Sequence, residues 1–199
     1  MDSRQIASII LRAPKEVERA LSDELPRKAA IISKNHFRQN FRESGFVDGG
    51  LRPWKRTRRQ ETGDDRGPLT SRRNHLMNSI DAVPAPGQVI VTNPVPYAAI
   101  HNEGGTVNTH PTVTPKMRKM AWAKVYSLAG VRGKGKLPKN LPEVAEKWRA
   151  LALTKKTKLN ITARIPKRQF IGSSAELREK INNIITDKLT QISNGITSR

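Results

Sequence analysis

The stretch LTSRRNHLMNSIDAVPAPGQVIVTN, residues 69–93, switches from a helical to a strand pattern within one segment, and that switch marks an α+β chain. Leu76, Met77 and Ile80 make a short apolar helix face, with Thr70 or Ser71 placed to cap its start. DAVPAPGQVIVTN then reads as two strands about a Pro-Gly turn, a hairpin over 81–93.

On the N-terminal side, PKEVERALSDEL (14–25) has Val17, Leu21 and Leu25 at spacing four after Pro14, which suits a first helical turn. Pro26 is expected to kink or divide this helix. The pattern resumes through KAAIISKNHFRQNFRESG (28–45), where Phe37 and Phe41 share a face and Gly45 is placed to stop it. Residues 46–70 scatter Gly49, Gly50, Pro53, Gly63, Gly67 and Pro68 among charges and read as a loop without a core of its own, Trp54 being its anchor.

On the C-terminal side, PYAAIHNEGG (96–105) predicts one or two helical turns closed by Gly104 and Gly105, and THPTVTPKMRKMAWAKVYSLAG passes from an extended segment into a helix ending at Gly130. GVRGKGKLPKNLP (130–142) has no periodicity that could bury it and reads as a mobile or partner-ordered loop. LPEVAEKWRALAL offers Val144, Trp148 and Leu151 to one side of a short helix, and LNITARIPKRQFIG alternates into a Pro-containing turn. In SSAELREKINNIITDKLTQIS (173–193), Ser173 and Glu176 form a capping-box pattern ahead of a stripe of Leu177, Ile181, Ile184, Ile185, Leu189 and Ile192. The expected fold is one α+β domain over 1–199. A small antiparallel sheet holds 81–93 and the segment before Pro166, packed by long N-terminal and C-terminal helices; 46–70 is a loop and 106–160 a long basic insertion.

Composition narrows the function. With 36% hydrophobic and only 5% aromatic residues among 199, the core is lean for an enzyme of this size, which favours a part that packs on neighbouring subunits. The absence of cysteine removes disulfides, thiolate metal sites and cysteine nucleophiles. No apolar run reaches the length that spans a bilayer, and the start MDSRQIASIILRAPKEVERA has too short an apolar patch for a signal peptide, so no membrane partner is expected. The net charge of +20 is uneven: residues 1–51 carry 9 basic and 7 acidic side chains, residues 116–168 carry 16 and 2. A second basic cluster comprises Arg52, Lys55, Arg56, Arg58, Arg59, Arg72 and Arg73.

Four segments in order carry a family resemblance: HFRQNFRESGFVDGGLRPWKR (36–56), LTSRRNHLMNSI (69–80), VIVTNPVPYAAIHNEGG (89–105) and IPKRQFIGSS (165–174). Together with the following helix they span most of 36–193, and the Tyr-Ala-x-Ile-His-x-x-Gly-Gly and Ile-Pro-x-Arg-x-Phe-x-Gly elements are specific in combination. The chain resembles the phage virion morphogenesis, or tail-completion, family, typified by the phage Mu G protein and the phage P2 S protein. It departs from the family pattern at Ser71, Arg72 and Arg73, and in the length of 106–160. The resemblance implies a non-enzymatic virion protein of the neck or tail, assembled in the host cytoplasm. Such a subunit acts in head–tail joining as part of a ring, expected to be a hexamer, with the connector and the tail tube or tail terminator as partners. It also implies signature residues with structural roles: Trp54, Tyr97, His101, Gly104, Gly105, Pro166, Arg168, Phe170 and Gly172.

The residues themselves support that reading. Tyr97 and Ile100 share a face of a short helix with His101 beside them, a packing unit in which the polar tips of Tyr97 and His101 find backbone partners. Arg168 and Phe170 read either as an ordered plug, with the ring in the core and the guanidinium on a carboxylate or carbonyl, or as a subunit contact. Arg132, Lys134, Lys136, Lys139, Lys155, Lys156 and Lys158 suit non-specific phosphate contacts with packaged DNA, or adhesion to acidic faces of adjoining rings. A free basic nucleic-acid-binding protein is the second reading. A metal-dependent nuclease using His101, Glu103 and His110 comes third, since no carboxylate cluster accompanies them. Neither a cofactor nor a metal is expected.

Overall fold

The computed structural model describes residues 3–61, 65–131 and 135–197. They group into two compact units: Met1–Gly105 with Ile165–Arg199, and Thr106–Arg164, within which the insertion expected at 106–160 falls.

The first unit opens with α1 (Ser3–Arg12) and α2 (Pro14–Arg19), a π-helical turn (Ala20–Glu24) and α3 (Leu25–Arg42). The sequence predicts a break at Pro26, but the structure carries the helix through. Proline cannot donate to the carbonyl four residues back, and the turn before it widens, so that the Leu25 N–H reaches the Ala20 carbonyl five residues back. Pro26 then occupies the first turn of α3, where the missing donor leaves nothing unpaired. α3 buries Ala29, Ala30, Ser33, Phe37, Asn40 and Phe41 along one face, the spacing of three and four that a helix needs.

Residues 46–70 are more structured than a loop. β1 (Gly45–Val47) and β2 (Leu51–Pro53) pair antiparallel, and α4 (Arg58–Glu61) follows. Phe46 anchors this pair in the core, and Gly49 and Gly50, at φ 67 and 136, form its turn. α5 (His75–Asn78) starts later than expected, because Asn74 takes a left-handed conformation at φ 44 and serves as the N-cap residue in place of Thr70 or Ser71.

β3 (Asp81–Ala85) and β4 (Gln88–Thr92) form the expected hairpin, with Val83 opposite Ile90 and Gly87 at φ 68 in the turn. The single sheet is not formed, however. Among the described residues three separate two-stranded pairs occur, and β6 (Ile161–Ile165) joins β5 (Gly105–Thr109) rather than the hairpin. Alternation identifies a strand but does not choose its partner.

α6 (Ala98–Glu103) and α9 (Ala175–Thr197) complete the first unit. Its main core gathers Phe37, Phe41, Phe46, Trp54, Leu76, Ile80, Val95, Phe170 and Leu177. A second cluster sets Ile9, Ala13, Val17 and Leu25 against Ile192. The C-terminal stripe thus spans both clusters, with Leu177 and Ile192 buried and Ile181, Ile184, Ile185 and Leu189 half-buried between them. Its cap sits one residue beyond the predicted one: the Ser174 hydroxyl, not that of Ser173, accepts the Leu177 N–H at 3.2 Å.

The second unit contains a helix pair, α7 (Pro115–Leu128) and α8 (Glu143–Leu153), and most of the paired strands β5 and β6. Its buried residues are small: Val113, Ala121, Val125, Ala145 and Ala152. The Thr114 hydroxyl caps α7 by accepting the Met117 N–H, and Arg118 donates to the Ala152 and Thr154 carbonyls at the end of α8. Among the described residues no helix is long and apolar enough to cross a membrane.

Candidate functional site

The residues of the first, third and fourth quoted segments converge on the short run 166–172. α6 ends at Gly104, whose φ of 74 and tight surroundings both require glycine, since a Cβ there would lie 2.7 Å from the Lys167 nitrogen. Beside it the Arg168 N–H bonds to the His101 carbonyl at 2.8 Å. Gly105, at φ 141, would place a Cβ 2.9 Å from Ile100 Cδ1, while Gly172 would meet only the flexible end of Gln169. Half-buried Pro166 leads into this turn.

Two asparagines that the sequence reading passes over hold the run in place. Asn102 Oδ1 accepts the N–H groups of Phe170 and Ile171 at 2.9 and 3.0 Å. Fully buried Asn40 donates to the Phe170 carbonyl at 3.1 Å and accepts the Val47 N–H at 3.2 Å. Trp54 adds a third tie, its Nε1 donating to the Gln169 carbonyl at 2.8 Å. Phe170 packs against Phe41 at 5.2 Å between ring centres, and Phe41 meets Trp54 edge-on at 5.4 Å. The signal for Asn40 was its spacing: it falls beside Phe37 and Phe41 on the apolar face of α3. The N-terminus of α9 is tied in as well, with the Gly49 and Gly50 N–H groups donating to the Glu176 carboxylate at 2.9 and 3.0 Å. These backbone donors hold the Glu176 carboxyl below its ordinary range.

Next to this clasp lies a cavity of about 320 Å³ lined by Thr57, Leu69, Ser71, Tyr97, His101 and Arg168, among others. Arg168 is only 7% exposed, and its Nε and Nη2 donate to one acceptor, the Lys55 carbonyl, at 3.0 and 2.9 Å. His101 does not find the backbone partner expected for its side chain: its Nδ1 is buried without a hydrogen bond, and the ring instead meets Tyr97 edge-on at 5.9 Å. The main chain at His101 supplies the contact, through the carbonyl that Arg168 uses. Burial pushes the His101 imidazole pKa down, and the Arg168 charge pushes it further the same way. Burial also lowers that of Arg168. Tyr97 itself is exposed.

The basic residues are distributed differently. Residues 106–164 hold 14 basic and 2 acidic side chains. Both acids are taken up within α8, Glu143 by Lys147 at 2.6 Å and Glu146 by Arg149 at 3.2 Å. Lys136, Lys139, Lys155, Lys156 and Lys158 are exposed, while Arg132 and Lys134 lie outside the described residues. Of the trio considered for a metal, His110 Nδ1 bonds to Asn160 Oδ1 at 2.8 Å, and Glu103 lies 3.5 Å from the Lys167 ammonium. Among the described residues, no three His, Cys, Asp or Glu side chains group in a way that could hold a metal ion.

Compared with known proteins, residues 34–190 match the model of the phage virion morphogenesis family. No curated protein and no solved structure matches the chain.

Proposed function

The chain belongs to the phage virion morphogenesis family, a structural family of phage virions, and on that premise we propose that it is a tail-completion or neck subunit acting in head–tail joining. It works as one member of a ring, a hexamer, at the head-proximal end of the tail. The connector or neck lies on one side, and the tail tube or tail terminator on the other.

The observation that carries this reading is the charge partition. A unit whose two acids are already paired locally keeps its surface positive, and such a surface docks on anionic neighbours. Acidic faces of adjoining rings and the phosphates of packaged DNA are the neighbours of that chemistry, and neither demands base recognition. The first unit then serves as the scaffold, with Trp54, Gly104, Arg168 and Phe170 holding its clasp.

The test is removal of the gene followed by electron microscopy of the lysate. Unjoined heads and tails are expected, and complementation with the intact chain restores whole particles. Normal particles without the protein would overturn the reading. Complementation with Lys155, Lys156 and Lys158 replaced by Ser should join fewer particles and lose much of the salt sensitivity of joining.

The same charge favours a second reading, a free nucleic-acid-binding protein. Tight, steeply salt-dependent DNA binding by the isolated monomer, with particles normal in its absence, would favour that instead.

A further inference from the structure

Arg168 presents an imbalance that the described residues do not resolve. It is nine-tenths buried, yet among the described residues no carboxylate pairs with it, and its two side-chain hydrogen bonds go to a single neutral carbonyl. Nη1 makes no hydrogen bond to any described residue. A guanidinium removed from water is ordinarily compensated by an anion, because its burial is otherwise costly. The cavity it faces is open enough for a ligand and offers the side chains of Thr57, Thr70 and Ser71 beside it. Arg59 lines the same cavity, tied to the Thr70 and Gly67 carbonyls.

We propose that this cavity is a receptor for the carboxylate of an aspartate or glutamate side chain presented by another virion subunit. The inference rests on the structural virion role proposed above and names one contact within it. The cavity walls select a side chain over a phosphodiester. Leu69, Leu76 and Tyr97 give apolar surface that suits methylene groups, and the site is concave. A carboxylate on a short stem enters a concave site, whereas a backbone phosphate is held against the broad cylinder of a duplex. Planar, bidentate pairing of carboxylate with guanidinium then neutralises Arg168.

His101 supplies the reporter, since its ring lies in the cavity wall, where burial lowers the imidazole pKa and the neighbouring Arg168 charge lowers it further. In the full-length isolated subunit, the His101 ring nitrogens are followed by NMR against pH in chloride, acetate and inorganic phosphate at equal ionic strength. Acetate is expected to lower the imidazole acidity constant roughly tenfold relative to chloride, by cancelling the Arg168 charge. Ser71→Glu, which plants a carboxylate on the exposed part of the wall, should reproduce that shift without acetate and leave the melting temperature no lower. Equal midpoints in chloride and acetate, and in Ser71→Glu, would overturn the site. A larger shift with phosphate than with acetate would overturn the carboxylate as its occupant.

The second arm uses particles. A subunit that fills its own receptor should cut the yield of joined particles at least tenfold. Normal joining by Ser71→Glu, with the acetate effect intact, would overturn the docking contact while leaving the head–tail role standing. Normal joining without the gene sinks that role and leaves the NMR result untouched.

Discussion

The two units solve the problem of a small core in opposite ways. The first concentrates large aromatic rings, Phe37, Phe41, Phe46, Trp54 and Phe170, and inserts two buried or half-buried asparagines that bond to main chain. The second relies on alanine and valine where α7 meets α8, and among its described residues no aromatic ring is buried. Their charges differ as well: 23 basic against 15 acidic in the first, 14 against 2 in the second. Buried aromatic rings are concentrated in one unit and net positive charge in the other. Like charges gathered on one unit repel one another, a cost that the aromatic core of the other does not carry.

The contrast breaks most readily at Phe170. Phe170→Ala should cost the first unit about 3–5 kcal/mol in denaturant unfolding, since a ring 1% exposed leaves a cavity between Phe41 and its neighbours. Trp54 fluorescence reports this transition, because Trp122 and Trp148 belong to the other unit. Asn102→Ala comes next. Two main-chain donors lose their acceptor together, and a loss of about 2–3 kcal/mol in the same transition is expected. Were Asn102→Ala to cost nothing, the clasp would be ornamental and the aromatic core sufficient.

Ala145→Leu sharpens the other side of the comparison. The Ala145 side chain is fully buried, so three added carbons force α7 and α8 apart at a cost of about 1–3 kcal/mol. The Trp122 and Trp148 signal should shift, and the Trp54 signal should not. A shift in both would mean that the units unfold as one.

The smallest effect is electrostatic. Lys188, 2.5 Å away, and then Lys28 hold the Glu24 carboxyl down from 4.5 to about 2. A carboxylate with a depressed folded pKa contributes stability above its unfolded value and loses it as pH falls through the folded one. Acid unfolding of the first unit should therefore steepen between pH 4.5 and 2. Glu24→Gln should flatten that part of the curve in a pH series of melting temperatures by lowering the plateau above pH 4.5, the two proteins converging near pH 2; the loss is small because solvent screens the half-buried pair.

Much of the scaffold was legible because burial writes a period into the sequence. The stripes of α3 and α9 and the alternation of β3 and β4 each declare an element, and Gly104 announced the end of α6. What stayed hidden depends on contacts distant in sequence. The pairing of β5 with β6 joins residues some 55 positions apart, and β1 with β2 is masked by glycine and charge until Phe46 is seen to be buried. The site followed the same division. Trp54, Arg168 and Phe170 stood out by type and spacing, whereas Asn40 and Asn102 read as ordinary polar helix positions, because an asparagine's value lies in which backbone it meets. The predicted side-chain partner for His101 failed on the same ground, since the carbonyl rather than the ring makes the bond.

The close approach at Gly104 has a consequence for descent. A Cβ on Gly104 would lie 3.2 Å from the Ile165 carbonyl, so the chain leaves the first unit and returns to it at nearly the same point. Segments whose ends lie this near can be lengthened, shortened or traded at small entropic cost to the body that carries them. Changes of length within residues 106–164 therefore leave the attachment points of that segment, and with them the clasp around Phe170, in place as the sequence diverges.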